Sequence, residues 1–390
     1  MDWIEPPERS TKKSFAQSWV GSVLGGVVGA LIGALFVPWF IGKPTGGPGS
    51  SANIGLPLIL LASLPLAWLV AVGIHELGHL IGGWLIGGRF LLWVVGPLKI
   101  LRTPKGIQCG WNRSVNVAGG MGACLPHDCS RLTARQLRIM VLGGPIASLS
   151  LWGLIQGLLL GVEPVSGTAA TALGGAATVT SYLSLLLAVL TLAPFTAGGF
   201  KSDGRRAWDL CRSGPQTDQE LAMMILTMQL LSGTRPRDLD PELLGRSLIL
   251  NDGSLFDLYA RLNAYHHAAD RQDWETARGF LETLTAAEDK LVPLLGSTVR
   301  CEYAWLAATL GSDPRLARAW LDSAGPMDFD PATRLRAESA VLLAEGSQEA
   351  AHTKALEGLR ALETRTMSPV RSPFAVEALE RLRDLSLTPA

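Results

Sequence analysis

Long apolar stretches separated by short polar segments dominate the first half of the chain. Four of them are close to the roughly 20 residues that a helix needs to cross the hydrocarbon core of a bilayer. They cover residues 20–41, 58–86, 139–160 and 171–193. The first stretch is too long for the apolar region of a signal peptide, and no clear cleavage site follows it. The pattern therefore predicts a polytopic membrane protein with about four transmembrane helices.

The distribution of Lys and Arg predicts how these helices are oriented. Basic residues are concentrated before the first stretch, between the second and third, and after the fourth, whereas the short link at residues 163–167 has none. Segments rich in Lys and Arg stay on the cytoplasmic side of a membrane. We therefore expect a multi-pass protein of the cell membrane with both termini in the cytoplasm.

The hydrophobic period changes between the second and third stretches. Residues 90–117 alternate around two turn-forming sequences, Gly96-Pro97 and Pro104-Lys105-Gly106. Alternation bounded by such breakers is typical of short strands. We predict a small membrane-associated β element within a cytoplasmic strand and loop region at residues 89–137.

After Asp203 the sequence becomes that of a soluble helical protein. Alanine-rich helix pairs turn near residues 271–273, 311–314 and 346–348, and small residues follow each turn at Ala277, Ala317, Ala350 and Ala351. The spacing of about 40 and then about 35 residues is close to that of tetratricopeptide-type repeats. We predict a cytoplasmic α-helical repeat domain at residues 213–390 that could bind a protein partner. The fold class is thus an all-α membrane protein with a C-terminal helical repeat domain.

Composition and charge exclude several classes of protein. The 390 residues are 48% hydrophobic and 17% charged, with 34 basic and 34 acidic side chains. This apolar content excludes a disordered chain, and the scattered basic residues do not form the concentrated face of a nucleic-acid-binding protein. Five cysteines are too few and too dispersed for a disulfide scaffold. The sequence does not determine an oligomeric state.

The second apolar stretch contains His75-Glu76-Leu77-Gly78-His79. On a helix, His75 and His79 lie one turn apart on the same face, so both imidazoles can bind one Zn²⁺. Glu76 is then placed to act as a general base on a water molecule. Because three ionisable groups are costly in an apolar span, we favour a catalytic metal site over a chance match with two core histidines.

Asp203 is our candidate for the third metal ligand. A catalytic zinc ion generally has three protein ligands and one open position. Asp203 is the first acidic residue after Glu163, and it follows a segment rich in Pro and Gly that can fold back toward the spans. Its alternative role is that of an N-cap for the helix that begins near Gly204.

These residues resemble the motifs of the site-2 protease family of intramembrane zinc metalloproteases. His75 to His79 match the first motif of the family completely, and Gly144-Pro145-Ile146-Ala147-Ser148 is similar to its Gly-Pro-x-x-Asn motif. Pro194 through Asp203-Gly204 is similar to the third motif, with extra residues between the proline and the aspartate. Ser148 and Thr191 stand where the family has asparagines.

The resemblance implies a zinc metalloendopeptidase that cuts another protein in or near a transmembrane segment, such as a membrane-tethered transcription factor. It implies a protease core at residues 55–212, preceded by an added segment with its own span at residues 1–54. Glu76 would be the catalytic base, and His75, His79 and Asp203 would hold one Zn²⁺. The remaining matched positions would bind substrate or support the site: Gly144, Pro145, Ser148, Thr191 and Pro194.

Two other functions stay open from the sequence. One is a different membrane-embedded zinc peptidase that uses a downstream glutamate as its third ligand. The other is a non-catalytic anchor that presents the helical repeats to a protein partner. A second metal site at Cys124, His127 and Cys129 lacks an evident fourth ligand, so we expect reduced, partly buried cysteines there.

Overall fold

The computed structural model describes residues 3–7, 55–112, 119–129, 132–161, 168–197, 200–291, 293–311, 313–325, 327, 330–364 and 370–387. The predicted span at residues 20–41 lies outside the described residues. Contacts divide the chain into two compact units. One consists of residues 10–78 and 144–205, and the other of residues 1–9, 79–143 and 206–390.

Three long apolar helices coincide with the second, third and fourth predicted spans. They are α1 (Gly55–Leu85), α2 (Ala134–Gly161) and α3 (Thr168–Leu192). Within them, the segments long and apolar enough to cross a membrane are Ala62–Leu85, Ala134–Gly161 and Ala172–Leu192. Large apolar side chains on all three helices are exposed, among them Leu66, Trp84, Leu160 and Leu173. Such surfaces suit contact with lipid and indicate a membrane protein.

Small residues allow the membrane helices to approach one another. Ala67 and Ala71 of α1 pack against Val179 and Leu183 of α3. The buried Ser184 hydroxyl donates a hydrogen bond of 2.9 Å to the carbonyl of Ser148. Small side chains and hydrogen bonds of this kind hold helices together in lipid, where apolar burial between helices gains little.

A four-stranded antiparallel sheet follows α1, as the alternating pattern predicts. It consists of β1 (Gly88–Val95), β2 (Leu98–Thr103), β3 (Gly106–Trp111) and β4 (Met121–Pro126), in the order β3-β2-β1-β4. Both predicted breakers form turns, with Gly96 and Gly106 at positive φ. β4 was not predicted. Since β2 lies between two partners, the edges of the sheet are β3 and β4.

Two glycines bring the last turns of α1 against neighbouring elements. A Cβ at Gly83 would lie 2.5 Å from the Cβ of Cys124 in β4, and one at Gly82 would lie 2.7 Å from the carbonyl oxygen of Ile139 in α2. Neither position has room for a side chain. The end of α1 is therefore fixed in close contact with β4 and with the start of α2.

Short elements connect α3 to the helices of the C-terminal half. A small hairpin of β5 (Thr196–Ala197) and β6 (Phe200–Lys201) precedes α4 (Asp203–Asp209). The remaining helices are α5 (Pro215–Leu231), α6 (Pro241–Ser247), α7 (Leu255–Asp270), α8 (Trp274–Ala286), α9 (Pro293–Thr309), α10 (Pro314–Ser323), α11 (Pro331–Ala344), α12 (Gln348–Thr364) and α13 (Pro373–Leu385). From α7 to α13 they surround one hydrophobic core.

The predicted helix turns lie where the sequence placed them. They join α7 to α8, α9 to α10, and α11 to α12. Of the small residues after these turns, Ala277, Ala317 and Ala351 are fully buried, but Ala350 is exposed. The pairing of helices thus agrees with the sequence, whereas a tetratricopeptide-type repeat stays a prediction.

Residues 3–7, here called the N-terminal segment, lie on this C-terminal helical region. The Trp3 ring packs edge-on against Tyr303 with centroids 5.8 Å apart. The Trp320 indole nitrogen donates to the carbonyl of Ile4 at 3.0 Å, and Arg300 donates to that of Pro7 at 3.0 Å. The N-terminal segment is therefore anchored to helices about 300 residues away in sequence.

Candidate functional site

α1 carries the two predicted histidine ligands and the predicted base. His75 is buried, whereas Glu76 and His79 are both partly buried. His79 lies six residues before Leu85, the last residue of the helix, and His75 lies ten before it. At 1.5 Å per residue this corresponds to about 9 to 15 Å of helix between the two histidines and the end of α1.

Asp203 approaches the two histidines in the structure. Its Oδ2 atom lies 3.2 Å from Nε2 of His75. One ligand atom from each of His75, His79 and Asp203 can be chosen so that all three lie within 4.8 Å of one another. Among the described residues, no other set of three His, Cys, Asp or Glu side chains forms such a group. The three predicted ligands are therefore together, although a distance of 128 residues separates Asp203 from His75.

Ser202 performs the capping role that was the alternative for Asp203. The Ser202 hydroxyl accepts a hydrogen bond of 3.1 Å from the backbone N–H of Arg205 and donates one of 2.6 Å to the carbonyl of Ala193. It therefore satisfies the first turn of α4 and ties that turn to the end of α3. Asp203 begins α4 with its carboxylate directed to His75.

Gly204 is required for this approach. A Cβ at Gly204 would lie 1.8 Å from the carbonyl oxygen of Leu192, which is far inside van der Waals contact. The backbone of α4 therefore passes directly over the end of α3. Any side chain at residue 204 would push Asp203 away from His75.

We expect Gly204→Ala to reduce metal content and to lower the melting temperature of the purified protein. Overpacking of this kind typically costs about 1–3 kcal/mol. Gly157→Ala is the matched control, because a Cβ at Gly157 in α2 meets nothing within 4 Å. The account of Gly204 is contradicted if the two variants retain metal and stability equally.

Hydrogen bonds orient both imidazole rings. The Nδ1 atom of His79 lies 3.0 Å from the carbonyl oxygen of Met140, to which it donates. The Nδ1 atom of His75 lies 2.9 Å from the hydroxyl of Ser148. When Nδ1 carries the proton, Nε2 presents its lone pair, which is the form that binds a metal ion. The His79 ring is thus held with Nε2 presented to a metal ion, and the His75 ring takes the same form when Ser148 accepts a hydrogen bond from its Nδ1.

Ser148 lies behind His75. The serine is fully buried, and its hydroxyl is engaged with the imidazole. This position favours a supporting role over direct contact with substrate. The sequence left both roles open.

Ser148→Ala is expected to weaken metal affinity by roughly 10–100-fold, as is usual when an outer hydrogen bond to a ligating histidine is removed. Competition with a chelating dye would measure the change. Ser150→Ala is the matched control, because Ser150 is exposed on the same helix and its hydroxyl donates only to the carbonyl of Ile146. Equal metal affinity in the two variants would show that Ser148 does not support the site.

The other predicted support residues have different positions. Pro145 lies inside α2, where it cannot donate to the carbonyl four residues before it, and it is buried together with Gly144. Met140, whose carbonyl accepts from His79, lies five residues before Pro145 on the same helix. Thr191 makes a local hydrogen bond of 3.4 Å to Ala188, and Pro194 is exposed. Gly144 and Pro145 therefore lie near the Met140 carbonyl that orients the His79 ring.

The suggested second metal site does not form a ligand group in the described part of the chain. The Cys124 thiol is buried and donates to the carbonyl of Leu80, and burial raises its pKa to about 11. Cys129 is buried near Ser232, while the exposed His127 ring is hydrogen-bonded to Arg89. Both cysteines are buried free thiols, and Cys124 lies in β4, whereas partly buried cysteines in a turn were expected.

Two contributors to the site were missed in the sequence. Met140 contributes its backbone carbonyl, and because every residue has one, the residue type gives no hint of this role. Ser202 precedes Asp203 and a helical segment, so the preference of serine for N-caps could have identified it.

No family model, curated protein or solved structure matches this chain. The resemblance to site-2 proteases therefore rests on the motifs and on the geometry of the residues that carry them.

Proposed function

We propose that the protein is an intramembrane zinc metalloprotease that hydrolyses a peptide bond in or near a transmembrane segment of a membrane-tethered protein. The observation that carries the proposal is that one ligand atom from each of His75, His79 and Asp203 lies within 4.8 Å of the others. Glu76 lies on the same apolar helix as the two histidines. Buried ionisable groups inside a membrane helix are costly and usually functional. Their identity and spacing are those of zinc peptidases.

The donor set fits zinc. Two imidazole nitrogens and one carboxylate oxygen are a common ligand set for a catalytic zinc ion. His75, His79 and Asp203 would hold the ion, while Ser148 and the Met140 carbonyl would orient the two rings. When bound, zinc would polarise the scissile carbonyl and lower the pKa of a water molecule.

Glu76 would move the protons of the reaction. Its carboxylate would accept a proton from the attacking water and deliver it to the nitrogen of the leaving amine. The half-buried position of Glu76 next to His75 supports this role. A substrate helix would have to unwind locally first, because its peptide bonds are enclosed by their own hydrogen bonds.

The sheet offers an edge on which an unwound substrate could be held by strand addition. β2 is interior and cannot accept another strand, so β3 and β4 are the edges at which a substrate could add. β4 is an edge and contacts the last turns of α1 through Cys124, Leu80 and Gly83. We therefore propose β4 as the strand that receives substrate.

The N-terminal segment supports a four-span topology with both termini in the cytoplasm. If the three apolar helices between Ala62 and Leu192 each cross a membrane, the chain before α1 and the chain after α3 would lie on opposite sides of it. Yet residues 3–7 contact helices that follow α3. An additional crossing between residue 7 and α1 resolves this conflict, and the uncharged residues 14–42 can provide it. The distribution of basic residues assigns the shared side to the cytoplasm.

Epitope tags at the two ends test this topology. In sealed inside-out vesicles, protease should remove both tags, and in right-side-out vesicles both should be protected until detergent is added. Digestion of one tag alone would contradict the four-span arrangement.

The proposed activity can be tested by reconstituting the protein in liposomes with single-span membrane proteins taken from the same membrane. Cleavage that requires zinc and Glu76 would support the proposal. A non-catalytic scaffold would yield no products from any substrate. For the rival peptidase with a glutamate ligand, the position of Asp203 beside His75 is the observation against it.

A further inference from the structure

The C-terminal helical region contains a cavity of about 240 Å³ that is separate from the metal-ligand group. It lies among the ends of α7, α9 and α11, the start of α8 and one face of α13. Alanines on four of these helices, including Ala269, Ala308, Ala340 and Ala378, leave the space open. Nothing in the proposed proteolytic chemistry uses this cavity.

Aromatic rings form a fixed apolar wall. Trp305 packs edge-to-face with Trp274 at 6.3 Å and with Phe374 at 5.7 Å between ring centroids. The buried Arg336 lies against Trp305 and Phe374, with its guanidinium carbon 4.4 Å and 5.2 Å from the two ring centroids. Arg336 is paired in turn with the buried Glu302. This packing holds the rings in place before any ligand binds.

Charged side chains line the rim of the cavity, in contrast to its apolar wall. Arg235 is held by Asp270 at 2.8 Å and by Glu377 at 2.6 Å. Arg237 and Arg381 also line the cavity; both are exposed, and neither side chain forms an ion pair with a described residue. The cavity lining therefore carries three guanidinium groups against two carboxylates, and because both carboxylates pair with Arg235, the guanidinium groups of Arg237 and Arg381 can contact an anion.

The size of the cavity favours a part of a polypeptide over a whole small molecule. Sites for small molecules commonly enclose about 300–1,000 Å³. This cavity is smaller, apolar inside and cationic at its rim. It therefore suits a peptide segment that places one or two apolar side chains in the cavity and adjacent carboxylates at the rim. The same helical region already binds an extended polypeptide on another face, because Tyr303 and Trp320 hold residues 3–7.

We propose that this cavity binds an acidic peptide segment of a partner protein, with an apolar side chain against Trp274, Trp305 and Phe374 and carboxylates on Arg237 and Arg381. This binding site is independent of proteolysis. It gives the helical region a means of selecting proteins by an extended tail outside the membrane.

Fluorescence anisotropy tests the proposal with full-length protein in detergent, carrying Glu76→Gln so that no peptide is cut. The probe is a labelled peptide with a pair of leucines followed by a run of aspartates, and the comparison peptide has lysines in place of the aspartates. The acidic peptide is expected to bind saturably and at least about tenfold more tightly than the basic one, a difference of about 1.4 kcal/mol.

A pair of charge-matched variants completes the test. Arg237→Glu with Arg381→Glu is expected to weaken binding of the acidic peptide at least about tenfold. Arg315→Glu with Arg360→Glu changes the charge equally at two exposed positions outside the cavity and should leave binding unchanged. Trp274→Ala should also weaken binding. Absence of binding, equal binding of the two peptides, or equal effects of the two double variants would each overturn the proposal.

Discussion

Protein purified with Asp203→Ala is expected to lose most of its bound zinc. The substitution removes one of three candidate ligands and leaves the two imidazoles of His75 and His79 as the only protein donors. Loss of an outer hydrogen bond typically costs 10–100-fold in metal affinity, so loss of a direct ligand should exceed roughly 100-fold. Metal analysis by mass spectrometry, together with competition against a chelator, would measure both stoichiometry and affinity.

Two variants distinguish ligand loss from unfolding. Asp203→Asn preserves the shape of the side chain but removes its charge, so it should also lose zinc while the melting temperature changes little. Asp218→Ala removes an exposed carboxylate outside the ligand group and should retain full zinc occupancy. Full occupancy in Asp203→Ala would remove Asp203 from the site and favour a peptidase with a different third ligand.

The sequence predicts the membrane helices and the histidine pair because both depend on local properties. The apolar character of α1, α2 and α3 is a sum over neighbouring residues, and the positions of His75 and His79 follow from helical geometry alone. Asp203 could be predicted because it is the first acidic residue after Glu163, so no other carboxylate precedes it in this part of the chain. Its contact with His75 nevertheless depends on Gly204, whose close approach to Leu192 is visible only in three dimensions.

Other features could not be predicted because their cause is not local. β4 contains Gly122 and Pro126, residues that strands usually avoid, and it becomes a strand through pairing with β1. The N-terminal segment is too short to show any periodicity, and its position depends on side chains such as Tyr303 and Trp320. Tertiary contact, which overrides local preference, determines these parts of the fold.

Glu76→Gln is expected to slow cleavage severely while zinc remains bound. The amide keeps the size of the carboxylate but cannot accept the proton from the attacking water. Proton transfer by a positioned side chain contributes typically 10²–10⁴-fold, so the cleavage rate should fall by about that factor, equivalent to roughly 3 to 5 kcal/mol in the barrier. Single-turnover cleavage of a reconstituted membrane substrate, measured beside zinc content, would give both quantities for one preparation.

His79→Ala is the comparison variant for Glu76→Gln, because the two variants are expected to differ in zinc content. His79 is a candidate ligand whose Nδ1 is fixed by Met140, so its loss should remove zinc and activity together. Glu76→Gln should remove activity alone, because Glu76 lies outside the group of three ligands. A Glu76→Gln protein that still cleaves at the wild-type rate would remove the proposed base. Loss of zinc in that variant would instead make Glu76 part of the metal site, and the proton transfer would have to be assigned to another group.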